Sequence, residues 1–140
     1  MPVKNLAVEP ATAQPDASVE AMAEQLDAEN VGSLIIQRQG EPVGIVTDRD
    51  IALTVASDDD PSELVAEDIM SENPETIDDD AEAVDLPEKM AEERVRRLPV
   101  VDDDGHLTGV ATLDDVVATA GEELEDVATV IEAQSPEYAP

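Results

Sequence analysis

The chain has 140 residues, and its 36 acidic against seven basic side chains give a formal net charge of −29. A surface this negative opposes binding to nucleic acid and to anionic membranes, because both are bound through Lys and Arg. The sequence contains no cysteine, which excludes disulfides and thiolate metal sites. Hydrophobic residues make up 41% of the chain and recur periodically, so we expect a folded protein rather than a disordered one.

Composition also predicts where the protein works. Its longest apolar stretches fall far short of the ~20 residues that span a bilayer, and the N-terminus lacks a secretory pattern, so we expect a cytoplasmic protein. Acidic, lysine-poor composition is typical of halophilic proteins, since molar salt shortens the screening length to ~3 Å. The one aromatic residue is Tyr138. A flat ligand would therefore be held by aliphatic side chains and backbone.

The first half of the chain, residues 1–57, predicts the order β-α-β-β-α. Apolar residues at helical spacing, followed by two apolar runs around a glycine turn, carry this prediction. The predicted elements are a short extended piece after Pro10, a helix over Ala17–Glu29, strands over Ser33–Arg38 and Pro42–Thr47 around Gln39-Gly40, and a helix from Asp48 to about Ala56.

The second half, residues 65–120, predicts the same order after a linker over residues 58–64. We expect Pro87 to kink its first helix or to delay the start of that helix, because proline removes a backbone donor. The predicted elements are a short turn within Leu64–Met70, an extended piece after Pro74, a helix over Ala81–Arg94, strands over Leu98–Asp102 and Leu107–Thr112 around Asp104-Gly105, and a helix from Leu113 to about Ala120.

Residues 121–140 follow the second repeat. From Glu122 to Ala133 the pattern is helical, with Leu124, Val127, Val130 and Ile131 on one side. We expect Ser135–Pro140 to form a loose tail.

The two halves are related by an internal repeat, which fixes the architecture before any single motif does. Sliding the sequence by 64 residues places Pro10 on Pro74 and Val31 on Val95. One inserted residue then changes the offset to 65, which places Gly44 on Gly109. Both halves consequently contain G-h-h-T-x-x-D-h, with Thr47 and Asp50 in the first copy and Thr112 and Asp115 in the second.

This motif places a hydroxyl at the end of a strand and a carboxylate in the first turn of a helix. The hydroxyl can cap the helix or donate to a ligand at the helix N-terminus, where free N–H groups favour phosphate. The carboxylate suits a ribose, whose two hydroxyls can both donate to it. The alternative interpretation of each pair is a helix cap and a solvated acid.

The chain resembles paired CBS (cystathionine-β-synthase-type) repeats, or Bateman modules. The resemblance covers nearly all of residues 1–120 and rests on the paired motif, on Asp68-Ile69-Met70, on Pro74-Glu75-Thr76-Ile77 and on Arg97-Leu98-Pro99-Val100-Val101. It implies an α+β fold of two tandem β-α-β-β-α repeats, packed sheet to sheet about a pseudo-twofold axis with two clefts, and a disc-shaped homodimer. It also implies a regulatory module that is not an enzyme.

By the same resemblance, Thr47 with Asp50 and Thr112 with Asp115 contact the ribose and phosphate of AMP, ADP, ATP or a related adenosine compound. Thr12 and Thr76 would touch the base, or each is simply an edge-strand threonine. We expect this nucleotide to be a regulatory ligand and no cofactor to be obligatory. His106 is given no role, and no metal site is predicted.

Three of the seven basic residues cluster at Arg94, Arg96 and Arg97. Arg96 and Arg97 form a candidate phosphate clamp, because the guanidinium fork matches phosphate oxygens; compensation of neighbouring acids is the alternative. The corresponding stretch of the first half, Asn30–Ser33, is uncharged, so we expect unlike clefts. Thr112, Asp115 and Arg97 form the favoured constellation for a phosphorylated ligand, and Arg49 is a further candidate contact or an ion-pair partner.

Two other functions stay open. The first is a structural or dimerisation module with vestigial clefts, which could also dock an unidentified protein. The second is binding of S-adenosylmethionine, which lacks phosphate and would not need Arg97.

Overall fold

Two related halves make up the computed structural model, which describes residues 1–57 and 60–134. The first half contains β1 (Thr12–Ala13), α1 (Val19–Glu29), β2 (Ser33–Arg38), β3 (Glu41–Thr47) and α2 (Asp48–Leu53). The second half contains α3 (Ala66–Ile69), β4 (Ser71–Glu72), β5 (Ile77–Asp78), α4 (Leu86–Glu93), β6 (Arg97–Val101), β7 (Leu107–Thr112) and α5 (Leu113–Gln134). The predicted order β-α-β-β-α and its duplication are confirmed.

Each half has its own sheet. In the first, the strand order is β1-β2-β3-β4, with β1 parallel to β2 and the other pairs antiparallel. In the second, the order is β5-β6-β7, with β5 parallel to β6 and β6 antiparallel to β7. Strand β4 was not predicted, because it is only two residues long and pairs with β3 of the other half.

The helix α4 begins at Leu86 and not at Ala81, where the sequence predicted its start. A short 3-10 turn covers Ala83–Asp85, and Pro87 lies in the first turn of α4. Proline is tolerated there because the first N–H groups of a helix have no partner within it. The delayed start allowed for at Pro87 is therefore confirmed, and the predicted boundary at Ala81 is wrong.

The helix α5 is continuous from Leu113 to Gln134, so the predicted break between Ala120 and Glu122 is wrong. A glycine inside a helix costs only about 1 kcal/mol relative to alanine, which is too little for Gly121 to end this one. The predicted tail Ser135–Pro140 lies outside the described residues. Within the described part of the chain, no helix is long and apolar enough to cross a membrane.

Two separate apolar cores hold the halves, and each contains a residue from the segment that leads into the other half. Val3, from the start of the chain, is buried in the core of the second half. Ala66, from the segment after the linker, is buried in the core of the first half. Backbone bonds of 2.8 Å, from Val3 N to Ala81 O and from Ala66 N to Ala17 O, fix both segments. The leading segments are thus exchanged between the halves.

The glycine of each motif allows these exchanged segments to pass close to a sheet. A Cβ at Gly44 would lie 2.9 Å from the carbonyl oxygen of Ser71 and would overlap the side chain of Met70. A Cβ at Gly109 would lie 3.0 Å from Ala7 Cβ. Packing between the halves therefore leaves no room for a Cβ at Gly44 and little room at Gly109.

We expect Gly44→Ala to lower the free energy of unfolding by about 1–3 kcal/mol, the usual cost of overpacking a filled site. Gly121→Ala is the control, because a Cβ there meets no atom within 4 Å. Helix propensity alone should make that variant more stable by about 0.5–1 kcal/mol. Chemical unfolding of both variants measures the difference, and equal stability of the two would contradict the packing role of Gly44.

Candidate ligand-binding clefts

Two clefts lie where the halves meet. The Thr112 cleft has a volume of about 480 Å³ and is lined by Val8, Glu9, Pro10, Ala11, Glu29, Val31, Gly32, Ser33, Arg97, Val110 and Thr112. The Thr47 cleft has a volume of about 350 Å³ and is lined by Ile45, Thr47, Ser71, Pro74, Glu75, Val95, Arg96 and Arg97. Each cleft takes its motif threonine from one half and its leading proline from the other.

The internal repeat relates the two clefts residue by residue. Pro10, Val31 and Thr112 of the larger cleft correspond to Pro74, Val95 and Thr47 of the smaller one. The correspondence extends to Gly32-Ser33, which occupies the place of Arg96-Arg97. The duplication therefore produces two clefts that are lined by equivalent residues but differ in their charged groups.

In the first motif, Thr47 and Asp50 bind each other across the start of α2. The Thr47 hydroxyl accepts from the backbone N–H of Asp50 at 3.1 Å, and Asp50 Oδ2 accepts from the backbone N–H of Thr47 at 2.8 Å. This reciprocal capping box satisfies two N–H groups that the helix itself cannot. Thr47 therefore caps a helix and lines a cleft at once.

The second motif has a related arrangement. The Thr112 hydroxyl donates to Asp115 Oδ2 at 2.8 Å and accepts from the backbone N–H of Asp115 at 3.3 Å. Neither Asp50 nor Asp115 is among the residues that line the two clefts. Asp50 instead lines a separate depression with Leu53 and Thr54. A ribose contact by either carboxylate stays a prediction, and it need not break the bond to the threonine, because only Oδ2 of each carboxylate is used in that bond.

Arg97 lines both clefts and lies opposite Thr112 in the register of β6 and β7. It is half-buried, and within residues 1–57 and 60–134 its guanidinium makes no ion pair or hydrogen bond. An unpaired arginine is unexpected in a chain with 36 acidic residues. Its five donors are available to an anion in either cleft.

The other candidate arginines differ in setting. Arg96 lines the Thr47 cleft and lies 3.9 Å from Asp114, in an ion pair whose two side chains are both well exposed. Such a pair contributes little, so it leaves Arg96 available to a ligand. Arg49 is exposed and is not among the residues lining either cleft, and Arg94 ends α4 in a left-handed conformation with φ of 56°.

The remaining candidate residues do not line the clefts. The Thr12 hydroxyl accepts from Gln37 Nε2 at 3.3 Å, and Thr76 is half-buried directly before β5. His106 lies with Asp102 and Asp104 in a group whose potential metal-ligand atoms are within 4.8 Å of one another. Asp102 and Asp104 are exposed or half-buried acids of a kind that abounds in this chain, and the grouping alone assigns no ion.

Three acidic residues of the clefts were not predicted from the sequence. Glu9 and Glu29 line the Thr112 cleft, and Glu75 lines the Thr47 cleft. Acids are so frequent in this sequence that none of them stood out. Their position beside Pro10, Val31 and Pro74, which the repeat aligns, was the available signal.

The fold and the clefts define a tandem-repeat module with two related sites between the repeats. The family model described as CBS domain matches residues 3–57 and again residues 65–122. The chain therefore belongs to the CBS domain family, as the paired motif predicted.

Relatives of known sequence include an uncharacterized protein from Methanopyrus kandleri. It is 35% identical over 123 residues, a match that covers 81% of this chain and 63% of that protein. Inosine-5'-monophosphate dehydrogenase from Halobacterium salinarum is 30% identical over 109 residues, which cover 76% of this chain and 21% of the enzyme. The similarity to that enzyme is thus limited to about a fifth of its length.

Solved structures include two ligand complexes of similar fold. CBSX2 of Arabidopsis thaliana in complex with AMP is 26% identical, with a TM-score of 0.73 over 86% of this chain and 96% of that one. The CBS domain pair of protein MJ0100, in complex with 5'-methylthioadenosine and S-adenosyl-L-methionine, is 28% identical, with a TM-score of 0.74 over 88% of this chain and 98% of that one.

We expect Thr47→Ala to lower the free energy of unfolding by about 0.5–2 kcal/mol without any ligand, because the N-cap of α2 is lost. Thr47→Ser retains the hydroxyl and should stay near the wild type. Thermal unfolding of the three proteins measures the effect. Equal stability of Thr47→Ala and Thr47→Ser would show that the capping box contributes nothing.

Proposed function

We propose that this protein is a regulatory module of the cytoplasm that binds an adenosine nucleotide (AMP, ADP or ATP) in the clefts between its repeats and signals by a change of conformation. The observation that carries the proposal is Arg97, an unpaired guanidinium at the junction of two clefts that each contain a motif threonine. The AMP complex of CBSX2 and the adenosine complexes of MJ0100 support this ligand class.

The cleft walls fit the parts of such a ligand. Ile45, Val95 and Pro74 offer an aliphatic surface to the base in the Thr47 cleft. In this proposal the Thr47 hydroxyl contacts the ribose, and Arg96 and Arg97 contact the phosphate. Hydrogen bonds to charged groups contribute roughly 1.5–3 kcal/mol each, so these two arginines would provide most of the polar affinity.

Charge distinguishes the two clefts. The Thr47 cleft places Arg96 and Arg97 against one carboxylate, Glu75. The Thr112 cleft places Arg97 against two, Glu9 and Glu29. A phosphorylated ligand is therefore better matched to the Thr47 cleft than to the Thr112 cleft, although the sequence had favoured the constellation of Thr112, Asp115 and Arg97. The Thr112 cleft suits an adenosine compound with a positive group, such as S-adenosylmethionine.

Signalling follows from the position of the clefts between the halves. A ligand in either cleft touches residues of both repeats, so its affinity depends on how the repeats are placed. Only such differential affinity for two arrangements can shift their populations. The recipient of the signal would be a partner protein, and the module itself is proposed to act as a homodimer and to catalyse no reaction.

A structural module with vestigial clefts is the second candidate function. It is favoured by one observation, that Thr47 with Asp50 and Thr112 with Asp115 satisfy each other's hydrogen bonds within the described chain. In a structural module, the motif would serve only to cap the two helices.

Calorimetric titration with AMP, ADP, ATP and S-adenosylmethionine separates these functions, and molar KCl screens the charge of −29 during it. We expect heat with at least one nucleotide, and a stabilisation of about 2.7 kcal/mol when the ligand is at 100 times its Kd. Absence of heat and of stabilisation with every compound would instead favour the structural module. If Asp50→Ala and Asp115→Ala bind the ligand as tightly as the wild type, neither carboxylate contacts the ligand.

Arg97→Ala should weaken binding of AMP, ADP or ATP by about 10- to 100-fold, since about 1.4 kcal/mol corresponds to tenfold in affinity. Binding of S-adenosylmethionine should change much less, because it has no phosphate. Arg38→Ala is the matched control, because Arg38 is paired with Glu67 at 3.8 Å and lines neither cleft. An equal loss of nucleotide affinity in both variants would show that only the overall electrostatic field of the protein had changed.

A further inference from the structure

The second half of α5 has no packing partner within the described chain. Every residue from Ala120 to Gln134 is exposed, although Leu124, Val127 and Ile131 are large and apolar. Isolated helices of this length are marginal in water, and most helical stability in proteins comes from packing an apolar face. The end of α5 is therefore a helix without a stabilising partner among residues 1–57 and 60–134.

The apolar residues follow a heptad spacing. Val117, Ala120, Leu124, Val127 and Ile131 are separated by three, four, three and four residues, which is the a/d pattern of a coiled coil. Their large members are 62%, 70%, 55% and 47% exposed, in the order Val117, Leu124, Val127 and Ile131. We call these five residues the α5 stripe. At 1.5 Å per residue it is about 21 Å long.

The charges of α5 lie away from the α5 stripe. The positions that flank a coiled-coil seam hold Gly121, Glu123, Ala128 and Val130, so only one of the four is charged. The other acids of this stretch, Glu122, Glu125, Asp126 and Glu132, lie at outer positions of the helix. A basic partner would be recognised by acids beside the seam, and these are largely absent. Two copies of this helix can meet along the α5 stripe without opposing rows of carboxylates.

We propose that the α5 stripe binds the α5 stripe of a second copy of this chain, forming a two-helix coiled coil that extends from the paired modules. The inference specifies the surface of the homodimer proposed above and is independent of nucleotide binding. If the titrations detect no ligand, the coiled-coil proposal still stands. If the chain is not dimeric, the proposal of nucleotide binding in the clefts still stands.

Leu124 is the residue to test, because it is the midpoint of the α5 stripe and would come close to its own copy. Leu124→Glu places a charge in the seam, and we expect the mass measured by light scattering in molar KCl to fall from dimer to monomer. Thr129→Glu adds the same charge on the outer side of the helix and should remain dimeric. Circular dichroism of the full chain checks that both variants fold.

The absence of native cysteine provides a second readout. Leu124→Cys introduces a single thiol, and mild oxidation should join two copies, because facing seam positions lie within the reach of a disulfide. Asp126→Cys, on the far side of α5, should remain largely uncrosslinked. A monomeric wild type, an unchanged mass for Leu124→Glu, or equal crosslinking of the two cysteine variants would each overturn the proposal.

Discussion

The exchange of leading segments is the constraint on which the rest of the structure depends. Val3 completes the core of the second half and Ala66 that of the first, so neither half has a full core without chain from the other side. Each exchanged segment must then cross from one sheet to the other, over Gly109 or Gly44. The crossing stretches, Val8–Ala11 and Ser71–Glu75, contribute lining residues to the two clefts. Cleft and core thus depend on the same chain path.

The same constraint gives the repeated motif two physical functions. Its glycine allows the exchanged segment to approach β3 or β7, and its threonine caps the following helix. Both functions belong to packing and would be retained without any ligand. The feature that points to a ligand therefore lies outside the motif: it is the guanidinium of Arg97, which has no ion-pair partner among the described residues.

Local patterns predicted the strands closely, because the turns at Gly40 and Gly105 fix where each hairpin reverses. The start of α4 and the continuity of α5 were harder to predict, since proline is tolerated in the first turn of a helix and a glycine costs a helix only about 1 kcal/mol. The clefts could be predicted from the sequence only in part. Repeat alignment related Thr47 to Thr112, but it did not show that each threonine faces the leading proline of the other half.

Arg97 also lies at the junction of the two clefts. Its neighbour Thr112 belongs to the larger cleft, whereas Arg96 and Val95 of the same segment belong to the smaller one. Ser33, which the repeat places at the equivalent position, lines only the larger cleft and has no charge to offer across the junction. The difference between Arg97 and Ser33 therefore makes the two clefts of a duplicated fold unequal in charge.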